Sequence, residues 1–216
     1  MSLALFDLDE TMINGDCASL WSRYMLALGW AEKTAFVRKE QAMMRQYAQG
    51  TLAMDDYMAF TLQPLIGRTT GEVAYQVERF IDEVIAPAIR EEARRCIDAH
   101  REQGDRVIVI SASGEHLVAP LAQRFGVSET LSIELDVRDD RYTGETRGIL
   151  SYREGKVARL SQLLGGELSA LAEASFYSDS SNDLPLLIQV GYPHVVNPDG
   201  ALLHHAHQKG WPVHRW

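Results

Sequence analysis

The chain has 216 residues, of which 46% are hydrophobic and 24% charged, a composition typical of globular proteins. Its net charge of −9 disfavours nucleic acid and anionic membranes as partners, because both select a basic surface. The sequence has no apolar run of the ~18 residues that span a bilayer, and acidic residues interrupt its first apolar segment, so we expect a cytoplasmic protein without a membrane helix or signal peptide.

The first apolar stretch leads directly into two carboxylates. Leu3–Phe6 is typical of a strand that is buried on both faces, as in the centre of a parallel sheet. Asp7 and Asp9 follow it, and Thr11 comes two residues later. Ligands of α/β proteins bind at the carboxyl ends of the strands, so this pair is a candidate for catalysis. The alternative is structural, because Asp is also common in turns and at helix N-caps.

A long helical region follows the acidic pair. The spacing of apolar residues and the turn residues predict helices at about 18–28, 32–48 and 55–62, and a fourth helix capped by Thr69 or Thr70. Four helices with no strand between them do not fit a simple alternation of strands and helices. We therefore predict a helical cap at residues 15–85, inserted into a core of residues 1–14 and 86–216.

Strands and helices alternate again after the insertion. A helix is predicted from Pro87 to Gly104, and the predicted strands are 106–110, 131–137, 142–147, 175–177 and 194–196, with an edge strand within 211–216. Further helices are predicted at 154–164 and about 184–190. This order predicts an α/β fold with a doubly wound, Rossmann-like parallel sheet.

Polar clusters follow three of the predicted strands. The clusters are Asp7 with Asp9, Ser111 with Ser113, and Asp179 with Asp183. A carboxylate can act as a nucleophile through an aspartyl-phosphate, and a second carboxylate can transfer protons. Other interpretations stay open at this point: Ser113 could replace Ser111 as the anion ligand, Lys156 could be an exposed lysine, and Asp183 could be a helix cap.

Taken in order, these motifs resemble the haloacid-dehalogenase-like hydrolases. The resemblance lies in Asp-x-Asp-x-Thr at 7–11, the apolar strand ending in Ser111, Lys156, and Ser-Asp-Ser-x-x-Asp-Leu-Pro at 178–185, and it covers nearly the whole chain. The helical insertion directly after the first motif resembles the cap of the phosphoserine-phosphatase-like branch. The resemblance therefore implies a phosphatase that acts on a small phosphorylated metabolite.

The resemblance also implies a role for each motif. Asp7 is the expected nucleophile, Asp9 the expected general acid and base, and Ser111 and Lys156 the expected phosphate ligands. The expected cofactor is Mg²⁺, with metal ligands drawn from the carboxylates of Asp7 and Asp179, the carbonyl of Asp9 and, directly or as an orienting group, Asp183. An acid at position 9 favours phosphoryl transfer over carbon–halogen cleavage, which needs no acid there.

The leaving group is the part of the substrate that the sequence defines least. Arg38 and Arg45 lie on one face of the second predicted helix, where they either are solvated or bind a substrate carboxylate. Asp16 is a candidate ligand for a substrate ammonium. We therefore expect a phosphorylated amino acid or amino alcohol, such as phosphoserine or histidinol phosphate. A phosphotransferase or mutase with the same intermediate, and a non-catalytic phosphate-binding protein, are the alternatives.

Overall fold

A computed structural model describes residues 2–216, and its strands form one mostly parallel sheet. The strands are β1 (Leu3–Phe6), β2 (Arg106–Gly114), β3 (Thr130–Arg138), β4 (Arg141–Arg147), β5 (Ser175–Ser178), β6 (Tyr192–Val196) and β7 (Val213–His214). Their order in the sheet is β4-β3-β2-β1-β5-β6-β7. All neighbouring pairs are parallel except the β3–β4 hairpin. The prediction of a doubly wound α/β sheet is confirmed.

Strand β1 lies in the middle of the sheet because every one of its residues is apolar. Leu5 pairs with Ile108 of β2 on one side and with Phe176 of β5 on the other. Ala4 and Phe6 face one hydrophobic core, and Leu3 and Leu5 face a second core on the opposite side of the sheet. Burial on both faces leaves only the carboxyl end of β1 open to a ligand.

Helices cover both faces of the sheet, as successive parallel crossovers require. On the face of Ala4 and Phe6 lie α5 (Glu91–Glu102) and α6 (Glu115–Arg124). On the other face lie α7 (Glu154–Leu163), α8 (Leu184–Leu187) and α9 (Gly200–Lys209). None of the helices within residues 2–216 has the length and hydrophobicity needed to cross a membrane.

Between β1 and α5 the chain is helical. This segment contains α1 (Cys17–Ala27), α2 (Lys33–Ala48), α3 (Met54–Thr61) and α4 (Thr70–Phe80), and a π-helical turn at Ile81–Ile85 follows α4. The Thr69 hydroxyl caps α4, as predicted, by accepting a hydrogen bond from the Glu72 amide. We refer to residues 15–85 as the helical insertion.

Several predicted boundaries differ from the structure, and two of these differences lie next to the carboxyl edge of the sheet. The helix predicted from Pro87 begins at Glu91, because Ile89 and Arg90 are extended and Ile89 bridges to Ile13 where the chain enters the insertion. Strand β2 does not end at Ile110 but continues to Gly114, with a register shift against β3 after Ile110. Ser111 therefore lies within the strand, and Ser113 is the residue nearer its end.

Candidate active site

The two acids after β1 lie at the carboxyl edge of the sheet. The Asp7 amide donates to the Tyr177 carbonyl of β5 at 2.9 Å, which continues the parallel pairing one residue beyond the strand. The backbone then turns, with Glu10 at φ 54°, and the Met12 amide donates to the Leu8 carbonyl. This turn directs the chain into the helical insertion and leaves both aspartates at the edge.

Lys156 is the partner of Asp7. Its Nζ donates to Asp7 Oδ1 at 2.7 Å and lies 2.8 Å from the Asp183 carboxylate. The lysine is 2% exposed, so it is not the surface residue that one sequence interpretation allowed. The Ser178 hydroxyl donates to Asp183 at 2.7 Å and fixes this second carboxylate. The lysine, two acids and a hydroxyl thus form one buried hydrogen-bonded group beneath the edge of β1 and β5.

Asp9 is oriented by hydrogen bonds from two different elements. Its Oδ1 accepts from the Cys17 amide at the start of α1 at 2.6 Å. Its Oδ2 accepts from the Ser113 hydroxyl at 2.9 Å and lies 3.5 Å from the Ser111 hydroxyl oxygen. Ser111 is fully buried and also accepts from the Ser113 amide at 3.1 Å. Both serines are therefore at the site, and Ser113 is the one that lines the open pocket.

The loop after β5 carries the third acidic cluster. The Thr11 hydroxyl lies 3.3 Å from Asp179 Oδ1 and joins this loop to the loop after β1. Asp199 holds the loop after β5 through two hydrogen bonds. Its amide donates to the Asp179 carbonyl at 2.9 Å, and its Oδ2 accepts from the Ser181 amide at 2.7 Å. Sequence reasoning assigned Asp199 no role at the site, although the residue ends an Asn-Pro-Asp turn before the last helix.

These side chains surround a pocket between the core and the helical insertion, in which the centre of a water molecule can occupy about 60 Å³. Its walls are Asp7, Asp9, Glu10, Asp16, Ala18, Met44, Tyr47, Met54, Tyr57, Ala112, Ser113, Asp179 and Ser180. Within residues 2–216, the side chains that line it include five acids and no lysine or arginine. Lys156 contacts Asp7 from behind.

Burial and mutual repulsion affect the protonation of these acids. Burial raises the pKa of Asp7 to about 7, although Lys156 opposes the shift. Burial, together with the nearby Asp16, raises the pKa of Asp9 to about 6, and burial raises the pKa of Asp179 above its usual range. Burial disfavours the charged form of Lys156, yet Asp183 and Asp7 raise its pKa above the ordinary value. The site therefore has more negative charge than its one lysine can neutralise.

The donor set fits a hard divalent cation. Within residues 2–216 no three His, Cys, Asp or Glu side chains are grouped as ligands of one metal ion. Asp7 and Asp179, however, line the same pocket and repel each other electrostatically. Mg²⁺ commonly binds through one or two carboxylates and completes its octahedron with waters and substrate oxygens. Two neighbouring carboxylates that share one lysine are the environment that such an ion would stabilise.

The predicted substrate residues separate into two groups. Asp16 lines the pocket, and its Oδ1 caps α1 by accepting from the Ser19 amide at 2.6 Å. Arg38 and Arg45 are exposed, and neither lines the pocket. The buried residues of α2 are Phe36 and Glu40, which places the two arginines on the opposite side of that helix.

Fold and site together place an aspartate pair, a buried lysine and an acidic loop at the carboxyl edge of a parallel sheet. The family model of the haloacid dehalogenase-like hydrolases matches residues 4–187. The chain belongs to this family, as the resemblance of its motifs predicted.

Two similar proteins match this chain over nearly their whole length. A histidinol-phosphatase of Neisseria meningitidis is 38% identical, over 98% of this chain and 97% of that protein. A crystal structure of a Bordetella pertussis protein with unknown function has 36% identity and a TM-score of 0.90, and the match covers 98% of this chain and 97% of the other. Relatives that are named as phosphatases confirm the prediction of a phosphatase.

A more distant structure shows the same fold. The phospho-aspartyl intermediate analogue of a phosphoserine phosphatase superposes with a TM-score of 0.69, over 99% of this chain and 92% of the other. The two sequences are only 17% identical, so this likeness supports the fold alone.

Proposed function

We propose that this protein is a Mg²⁺-dependent phosphomonoesterase that hydrolyses a small phosphorylated amino alcohol, such as histidinol phosphate, through an aspartyl-phosphate. The observation that supports it most is the convergence of two contacts on one pocket: Lys156 lies 2.7 Å from Asp7, and Ser113 lies 2.9 Å from Asp9. Asp7 is thereby oriented by a cation, which suits a nucleophile that must stay ionised. Asp9 is oriented by neutral donors, which suits a group that gains and loses a proton.

The proposed reaction has two steps. First, a carboxylate oxygen of Asp7 attacks phosphorus in line, and the bond from phosphorus to the alcohol oxygen breaks. The leaving oxygen keeps the electron pair and takes the proton of Asp9. Then the Asp9 carboxylate removes a proton from water, the water oxygen attacks phosphorus, and the bond to Asp7 breaks. The products are the alcohol, inorganic phosphate and the original carboxylate of Asp7.

Positively charged and neutral donors would hold the phosphoryl oxygens during both steps. The Lys156 ammonium, with Ser111 or Ser113 opposite it, would stabilise the charge that spreads over these oxygens in the transition state. The carboxylates of Asp7 and Asp179 and the carbonyl of Asp9 would hold Mg²⁺, with Asp183 as an orienting group behind them. The metal ion would neutralise the phosphate charge beside these acids.

The pocket favours an amine over a carboxylate in the leaving group. Asp16 lines it, whereas Arg38 and Arg45 lie outside it. Phosphoserine needs a cation for its carboxylate, while histidinol phosphate carries an ammonium and no carboxylate. The 38% identical relative is named a histidinol-phosphatase, which supports the same choice.

The decisive variant is Asp7→Asn, which removes the nucleophile and keeps the side-chain shape. We expect it to abolish release of phosphate from p-nitrophenyl phosphate and from histidinol phosphate. Asp98→Asn, on the exposed face of α5, is the matched control and should keep the parent rate. Parent activity in Asp7→Asn would refute the proposed nucleophile.

Two further measurements test the cofactor and the acceptor. Excess EDTA should stop turnover and added Mg²⁺ should restore it, so full activity in EDTA would contradict the metal requirement. Stoichiometric release of inorganic phosphate indicates a hydrolase, whereas release only after an acceptor alcohol is added indicates a phosphotransferase or mutase. Binding of phosphate esters with no turnover at all would favour a non-catalytic protein.

A third measurement tests the leaving group. The parent protein should hydrolyse histidinol phosphate faster than phosphoserine or sugar phosphates, and Asp16→Asn should raise KM for the amine. Arg38→Ala and Arg45→Ala should leave kcat/KM for both histidinol phosphate and phosphoserine unchanged. A preference for phosphoserine that is lost in the arginine variants would reverse this assignment.

A further inference from the structure

A second cavity lies beside the catalytic pocket, between the helical insertion and the core. The two share Ala18, Tyr57, Ala112 and Ser113, so a molecule that enters the first can extend past Ser113 into the second. The second cavity is small as it stands, because the centre of a water molecule can occupy only about 20 Å³ of it. Its other walls are Trp21, Ser22, Met25, Met58, Thr61, Leu62, Gly114, His116 and Leu117.

Three polar side chains on this cavity have no hydrogen-bond partner among residues 2–216. They are Trp21 through Nε1, Ser22 through Oγ, and His116 through both ring nitrogens. Trp21 and Ser22 are 2% and 1% exposed. An unpaired buried polar group destabilises a protein, so three such side chains around one cavity indicate that another molecule supplies the missing partners. The Ser22 hydroxyl additionally lies near the buried Glu40 carboxylate, where burial raises the pKa of the carboxyl and the hydroxyl lowers it.

The backbone makes room for the His116 ring. A Cβ at Gly114 would lie 2.7 Å from His116 Nδ1, closer than side-chain carbons approach. Gly114 has φ −70° and ψ 145°, which any residue can adopt, so the clash with the imidazole is the one obstacle to a side chain there. Trp21 packs edge-on against the same ring, with 6.2 Å between centroids.

We propose that this second cavity binds a planar nitrogen heterocycle on the leaving group of the substrate, a proposal that rests on the function proposed above. An imidazole has one N–H donor and one nitrogen acceptor. The Trp21 indole N–H can only donate and pairs with the acceptor nitrogen, while the Ser22 hydroxyl or the neutral His116 ring accepts from the N–H. Leu62 and Leu117 pack against the ring faces.

The three recognition points follow the shape of one molecule. The phosphoryl group lies at Asp7, the ammonium at Asp16, and the ring past Ser113 in the second cavity. The cavity is narrow as it stands, and Met25 and Met58 must change rotamer to admit a ring. Their unbranched thioether side chains do this readily.

The test compares two substrates that differ in the ring. Histidinol phosphate carries an amine, a phosphate ester and an imidazole, whereas phosphoethanolamine carries only the first two. Trp21→Phe removes the N–H and keeps an aromatic ring, and Ser22→Ala removes the hydroxyl. We expect each to lower kcat/KM for histidinol phosphate about tenfold, mainly through KM, and to leave phosphoethanolamine within about twofold.

Two additional variants make the comparison sharper. Gly114→Ala displaces the His116 ring and should give the same selective loss. Trp211→Phe is the matched control, because Trp211 packs against the core on the opposite face of the sheet. It should leave kcat/KM for both substrates unchanged. An equal loss for both substrates in Trp21→Phe and Ser22→Ala would overturn the inference, because it indicates damage to folding or to the catalytic pocket.

Calorimetric titration with L-histidinol separates failure of this inference from failure of the proposed function, because it needs no turnover. Weaker binding to Trp21→Phe and Ser22→Ala than to the parent supports the ring site even if histidinol phosphate is a poor substrate. Equal binding of L-histidinol to all three proteins would overturn the ring site and leave the phosphatase assignment intact. That result is expected if ordered water alone satisfies Trp21, Ser22 and His116.

Discussion

The side-chain amide of Asn182 donates a hydrogen bond to the backbone carbonyl of Tyr47, with 3.2 Å between nitrogen and oxygen. Asn182 belongs to the acidic loop after β5, and Tyr47 is in the last turn of α2. The Tyr152 hydroxyl donates to the Asn182 oxygen at 3.2 Å, and Arg153 donates to the Gly50 carbonyl at 2.7 Å. The helical insertion is therefore held to the catalytic edge by hydrogen bonds from the core.

We expect Asn182→Ala to weaken this connection. The Tyr47 carbonyl and the Tyr152 hydroxyl lose their partner, which costs about 1–2 kcal/mol in the free energy of unfolding. Because the insertion then closes less often over the pocket, KM for the amino-alcohol phosphate should rise about three- to tenfold. Steady-state kinetics and urea unfolding measure the two effects, with Gln103→Ala at the exposed end of α5 as the control. Unchanged KM in Asn182→Ala would argue against a role in closure.

Lys156→Met tests the buried cation. Without the ammonium, Asp7 and Asp183 are buried side by side with no opposite charge, so we expect a loss of about 3–5 kcal/mol in stability and at least a hundredfold loss in kcat. The double variant with Asp183→Asn should recover much of the stability and none of the activity. A single variant as stable and as active as the parent would mean that the lysine is dispensable.

Gly155→Ala tests a close backbone approach beside this lysine. A Cβ at Gly155 would lie 1.9 Å from the Leu150 carbonyl oxygen, so the first turn of α7 must shift and carry Lys156 with it. We expect a loss of stability above ~2 kcal/mol, together with a loss of activity. Gly71→Ala in α4, where nothing lies within 4 Å of the new carbon, is the matched control and should be neutral or slightly stabilising. Similar stability of the two variants would contradict the steric argument.

His116 should make the protein less stable in mild acid. Burial lowers its pKa from about 6.5 to about 3, so between these values the unfolded chain binds a proton that the folded chain does not. The contribution of neutral His116 to the free energy of unfolding is therefore fully present above pH 6.5, and it is lost as the pH falls toward 3. Lowering the pH from 7 to 5.5 should cost about 1 kcal/mol through this group.

The measurement for His116 is urea unfolding at both pH values in the parent and in His116→Phe, which cannot titrate. The difference between the two proteins isolates this residue from the carboxylates, which titrate in both. The variant should lose about 1 kcal/mol less than the parent on acidification. Equal losses would mean that the folded protein accepts a proton on His116.

The sequence predicts the sheet and its acidic edge for a clear physical reason. Strands such as Leu3–Phe6 are buried on both faces, so they appear as short apolar runs, and the polar residues that follow them must collect at one edge. The burial of Lys156 was harder to infer, because its partner Asp7 lies 149 positions earlier in the chain. Neighbouring arginines at 153 and 159 also allowed an exposed lysine as the alternative interpretation.

Helix orientation is the other feature that local sequence left open. Arg38 and Arg45 share a face, but periodicity does not say which face meets the pocket. The structure shows Phe36 and Glu40 buried instead, so the arginines face solvent. The extension of β2 to Gly114 was likewise hidden, because Ser111-Ala112-Ser113 has the composition of a loop and becomes strand through its neighbours.

The separation between Asp7 and Lys156 has a consequence for how the protein is made. During synthesis the proposed nucleophile leaves the ribosome 149 residues before its lysine, and the acidic loop follows the lysine. Strand β1 cannot pair with β5 until Ser175–Ser178 has also emerged, so its apolar residues stay without one of their two neighbours while the intervening residues are made. The nascent chain is therefore inactive and exposed to aggregation until β5 has emerged, and chaperone dependence should be greatest for chains stalled before residue 178.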